Sequence, residues 1–176
     1  MQTDRRRLDQ IQDPEFLTDL DSLSIDELRA RRDLAEDVEN ELSYYRRFLH
    51  GRLDLLAFEQ RRRRGEESRS LIDALTEILT GRDRVGGTSS RHLSTDVPDI
   101  PVKGRRHLDH VLGSDLMARL GEMSEAELSE AGLELSDLES EISTVRQQVQ
   151  TILDQVHAEV ISRYKHDLGD PALRPS

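Results

Sequence analysis

The chain has 176 residues, of which 35% are hydrophobic, 35% charged and 3% aromatic, with a net charge of −11 and no cysteine. This composition suits long helices around a thin core, and it excludes disulfides, zinc–thiolate sites and thiol catalysis. The negative field opposes nonspecific nucleic-acid binding and favours a protein partner with basic surfaces.

Residues 1–23 read as a charged, irregular N-terminal segment with an apolar patch at Phe16, Leu17, Leu20 and Leu23. Its opening, MQTDRRRLDQIQ, contains no apolar run, so no signal peptide is expected and the chain is assigned to the cytoplasm. No stretch has the length of a membrane span. Ser24-Ile25-Asp26-Glu27 is a capping box, and it opens a long helix predicted over 24–64. Leu28, Ala35, Val38, Leu42, Tyr45, Leu49 and Leu56 are its periodic apolar residues. From Ala35 onward they keep an a/d heptad rhythm, with Arg52 or Leu53 where the next d belongs.

Gly65 begins a connector over 65–123. In it, Glu66 to Thr80 reads as a short amphipathic helix, with Leu71, Leu75, Ile78 and Leu79 on one side and Gly81 as its stop. Residues 82–106 carry Gly86-Gly87, Ser89-Ser90, Pro98 and Pro101 and read as a long polar loop. A short helix is expected around Leu108 to Leu120. Ser124-Glu125-Ala126-Glu127 is a second capping box, opening a second long helix over 124–168. Leu138, Ile142, Val145, Val149, Ile152, Val156 and Val160 line its seam, and a tail over 169–176 with Pro171 and Pro175 closes the chain. The expected fold is all-α: an antiparallel coiled coil of two long helices, with short additional helices and a long connecting loop.

The two helices share more than their caps. Glu39, Ser43, Arg46, His50 and Asp54 recur 100 positions later as Glu139, Ser143, Arg146, Gln150 and Asp154. The pattern is E-x3-S-x2-R-x3-[Q/H]-x3-D, whose steps place all five side chains within about 80° of arc on one helix. At the same offset Leu20 matches Leu120, Ser24 Ser124, Leu28 Leu128, Glu59 Glu159 and Arg63 Arg163, so one cap-plus-helix unit occurs twice. With Leu42 and Ile142 at a, the Glu and Arg of each stripe fall at e, beside the seam. An antiparallel pair sets e against e, which would bring both stripes to one side.

Arg offers a planar fork that matches phosphate oxygens or the O6/N7 edge of guanine. Asp can accept from the N1–H and N2–H₂ edge of guanine, and Ser, Gln or His can reach phosphate or ribose. A surface with two Arg and two Asp related by a twofold suits a twofold ligand that combines phosphates with guanines, of which cyclic di-GMP is an example.

The doubled signature resembles the RsiG family of actinobacterial anti-sigma factors, and the resemblance covers both long helices. It implies that the ligand is cyclic di-GMP, taken as a dimer, and that no other cofactor is needed. It also implies a WhiG-like partner, a flagellar- or sporulation-type sigma factor held away from RNA polymerase core. Glu39, Ser43, Arg46, Asp54, Glu139, Ser143, Arg146, Gln150 and Asp154 match the family pattern. His50 departs from it, standing where Gln is expected. An imidazole can still donate or accept a hydrogen bond, and its charge near neutral pH would make this half of the site pH-sensitive.

Plainer readings compete. Taken singly, each motif residue is an ordinary solvated helix side chain, and Glu39 with Ser43 would form a surface pair worth only about 0.2–0.5 kcal/mol. Arg61 to Arg64 reads as a cationic helix C-terminus rather than a nucleic-acid site. Arg6-Arg7-Leu8-Asp9 carries the common R-x-x-D tetrad, and His107 and His110 read as surface histidines. Tyr44 and Tyr45 read as seam packing, with a base-stacking platform as the alternative for Tyr44, which lies close to the stripe. No glycine-rich phosphate loop, G-x-S-x-G elbow or metal-ligand cluster supports catalysis, so no enzyme is expected, and neither direct DNA contact nor a membrane role follows. The alternative to the anti-sigma reading is a structural or adaptor coiled coil without a small ligand.

Overall fold

The computed structural model describes residues 7–70, Asp73 and 119–169, the last three as backbone alone. Among these, α1 spans Arg7–Ile11, 3-10 turns follow at Pro14–Leu17 and Leu20–Ser22, α2 spans Ile25–Arg63 and α3 spans Glu125–Gly169. The described residues contain no strand, and α2 and α3 pack against each other.

Both capping boxes form as predicted. The Ser24 N–H donates to Glu27 Oε2 at 2.8 Å, and the Glu27 N–H donates to Ser24 Oγ at 3.3 Å. Ser124 and Glu127 exchange the same two bonds at 2.6 and 3.2 Å. Each box supplies partners for backbone groups that the first helical turn leaves open. Gly65, at φ +75, ends α2: its N–H donates to the Arg62 carbonyl and that of Glu66 to Arg61, the bond pair of a Schellman stop. Leu28, Ala35, Leu42, Leu49 and Leu56 of α2 and Leu128, Leu135, Ile142, Val149 and Val156 of α3 are all buried, none more than 2% exposed. A buried residue at every seventh position is the rhythm of a helix–helix seam. At the d position left open between Arg52 and Leu53, Arg52 is the buried one, its guanidinium 4.4 Å from the Phe48 ring, while Leu53 is half-buried.

The chain divides into two compact units, Met1–Ser43 with Ser143–Ser176 and Tyr44–Ile142. In the first, Glu39 meets Arg146 and Arg29 meets Tyr164, so residue numbers on α3 rise as those on α2 fall, the order of oppositely directed helices. Residues 7–23 of the N-terminal segment belong to this unit and are not irregular. Leu8 and Ile11 of α1 and Phe16 are buried in its core. Asp13 caps the turn at Pro14–Leu17 by accepting from the Glu15 N–H, and Arg31 donates to the Phe16 carbonyl. Gln12 bonds Gln148 across 3.1 Å, and Arg7 pairs with Glu41. Packing supplies the order that short polar stretches lack by propensity.

In the second unit Arg46 meets Glu139 and Arg63 meets the backbone of 120–123, again with opposed numbering. Leu55, Leu56, Phe58, Leu120 and Leu128 are buried here, and so is Glu59, 1% exposed at a seam position. The helix expected from Glu66 begins later. Residues 66–70 are non-helical, and Ser70 accepts from the Asp73 N–H while donating to its carboxylate, so the cap lies at Ser70. The rest of that helix, the loop at 82–106 and most of the helix at 108–120 lie outside the described residues.

Candidate functional site

The repeated stripe meets itself in each unit. In the first, Arg146 Nε on α3 donates to Glu39 Oε1 at 2.9 Å and to Ser43 Oγ at 2.8 Å on α2. Ser43 Oγ donates in turn to Glu39 Oε1 at 2.8 Å. Gln150 and Asp154 follow on α3 and are exposed, and Ser143 is half-buried. In the second unit Glu139 Oε1 lies 2.9 Å from His50 Nε2 and 3.6 Å from Arg46 Nε, and Asp54 is half-buried further along α2. The e positions of one helix thus face those of the other, as the heptad letters require.

Each arginine is set against a glutamate of the other helix, Arg146 against Glu39 and Arg46 against Glu139. The register pairs unlike e residues, so each half-set is closed by its own ion pair. Such partly exposed pairs contribute about 0–1 kcal/mol each, a strength that a ligand offering stronger acceptors can overcome.

Two Glu–Arg clasps had been visible in the sequence only as repeat matches. Glu59 accepts two bonds from Arg62 and one from Arg63, each 2.8 Å, and these guanidinium groups hold its carboxyl below the ordinary carboxylate range, hydrogen bonding from Arg62 being the larger cause. Arg63 also donates to the carbonyls of Met123 at 2.5 Å and Leu120 at 3.1 Å. In the first unit Glu159 accepts from Arg163 at 2.8 Å, and Arg163 donates to the Asp21 carbonyl. Both clasps grip the backbone just ahead of a capping box. Their signal was recurrence at the stripe's own offset.

The arginine run at 61–64 is largely engaged. Arg62 and Arg63 hold Glu59, and Arg64 lies 3.2 Å from Glu66, which supports the plainer reading of a helix terminus. Tyr44, expected in the seam, is instead 44% exposed, its ring stacked on Phe48 and edge-on to Tyr45. Arg6, His107 and His110 lie outside the described residues. Among the described residues no three His, Asp or Glu side chains are gathered as a metal site requires, and no helix is long and apolar enough to cross a membrane.

The RsiG-like family model matches residues 14–79, a stretch that contains all of α2 and its first motif copy. Residues 14–79 are thus similar to the RsiG-like family. No curated protein matches the chain. The RsiG-like assignment points to an anti-sigma factor, a regulatory rather than an enzymatic role, with a sigma factor as the kind of partner implied. Glu39, Ser43, Arg46, His50 and Asp54 all fall inside the RsiG-like stretch, and their partners Arg146 and Glu139 come from the repeat beyond it.

Proposed function

We propose that this protein is a ligand-dependent anti-sigma factor. It binds cyclic di-GMP, taken as a dimer, through Glu39, Ser43, Arg46, His50, Asp54, Glu139, Ser143, Arg146, Gln150 and Asp154, and it holds a WhiG-like sigma factor away from RNA polymerase core. The helix pair acts as an antiparallel coiled coil that presents these residues. The observation that carries this reading is the meeting of both motif copies across the helices, Glu39 and Ser43 on Arg146 and Glu139 beside Arg46 and His50.

The physical account runs through the arginines. A phosphate or a guanine O6/N7 edge is a bidentate acceptor for a guanidinium. When Arg146 turns to the ligand, Glu39 keeps the Ser43 hydroxyl as a donor; when Arg46 turns, Glu139 keeps His50. Neither glutamate is then left without a donor, so the exchange avoids the cost of an unsatisfied carboxylate. The ligand changes affinity for the sigma factor only by as much as it favours the competent state.

The closed ion pairs also suit a second reading, a structural or adaptor coiled coil whose stripe merely fixes helix pairing. Calorimetric titration of cyclic di-GMP into wild type and Arg146→Ala separates the two. The ligand reading predicts binding by wild type and at least about tenfold weaker binding by the variant, the loss of one charge-assisted hydrogen bond pair. Equal binding by both rejects the assigned site, and no binding by either supports the adaptor.

A further inference from the structure

We infer that His50 makes the two half-sets unequal, so that Arg46 contributes more to ligand affinity than Arg146. The inference deepens the reading above and rests on it. The two arginines are the same residue in the same motif, yet their surroundings differ. Arg146 Nε makes two hydrogen bonds, to Glu39 at 2.9 Å and Ser43 at 2.8 Å, and its side chain is 23% exposed. Arg46 Nε stands 3.6 Å from Glu139, beyond hydrogen-bond range, and its side chain is 36% exposed.

The cause is the residue four positions on. His50 Nε2 occupies Glu139 Oε1 at 2.9 Å, and the same oxygen is the one nearest Arg46. The first unit contains the internal control. Gln150, the counterpart of His50, is exposed, and Glu39 bonds to Arg146 and Ser43. With glutamine at this motif position the glutamate belongs to the arginine; with histidine it is drawn away from it. A ligand acceptor reaching Arg146 must displace two existing bonds, whereas one reaching Arg46 displaces only a long ion pair. The net gain on binding is therefore larger at Arg46.

His50 is thus a determinant of affinity through Arg46, and the position where the chain departs from the family pattern is the position that unbalances the site. The test compares cyclic di-GMP affinities of Arg46→Ala and Arg146→Ala, each in the wild-type and the His50→Gln background. In the wild-type background Arg46→Ala is expected to weaken binding about tenfold more than Arg146→Ala, the worth of one charged hydrogen bond. In the His50→Gln background the two losses become equal, because Glu139 returns to Arg46. Equal losses in the wild-type background, or a difference that persists with Gln at position 50, overturn the inference while leaving the ligand reading intact. Absence of binding by the unsubstituted protein overturns both.

Discussion

A carboxylate buried at a seam position carries a clear electrostatic consequence. Glu59 is almost fully buried and its charge is met by Arg62 and Arg63. Its carboxyl is held below the ordinary value of 4.5, so its contribution to stability is present above that value and is lost as pH falls through the lowered folded-state value. Glu59→Gln is expected to lose about 1–3 kcal/mol at neutral pH. The gap to wild type should close on acidification below 4.5, as wild type loses what the variant never had, and urea midpoints measured across that range check it. Glu59 also shows where residue-scale legibility ended. Its recurrence as Glu159, with Arg63 and Arg163, stood in the sequence, but a seam position is ordinarily apolar, so a buried carboxylate there is recognisable only once its arginines are seen to fold back on it. The stripe was more legible. Heptad letters placed Glu39 and Arg146 at facing e positions, while the drawing of Glu139 towards His50 depended on side-chain geometry that no spacing encodes.

At the scale of elements, caps and stops were legible because each is local chemistry. Ser24 and Ser124 open the helices, and Gly65 closes the first. The N-terminal segment was not legible, since α1 has only five residues and is held by Leu8, Ile11 and Arg7 against the helix pair. Asp13 ahead of Pro14 was the available signal, a capping residue before a proline at the first turn position. The start of the helix after Gly65 was misplaced because Ser70 with Asp73 is a stronger cap than the charged run before it. Within α2, Gly51 is a helix-interior glycine at which an added Cβ would meet nothing within 4 Å. Gly51→Ala should stabilise by about 0.5–1 kcal/mol through the reduced entropy of the unfolded chain, with ligand affinity unchanged. A higher thermal midpoint checks it, and a lower one would show a close neighbour at that position.

For the whole molecule, duplication is the organising fact. Each long helix contributes one motif copy, and each unit closes a half-set from both copies. Composition had announced the helices of the described residues and their thin seam, since so few large apolar residues can fill little else. The regulatory reading requires that ligand and partner be linked, for a ligand that fails to favour the partner-bound state cannot regulate it. The most direct measurement is size-exclusion chromatography of the chain mixed with a WhiG-like sigma factor, with and without cyclic di-GMP. The account predicts co-elution when the nucleotide is present and separate peaks when it is absent. Co-elution that ignores the nucleotide, or no complex in either condition, would contradict it.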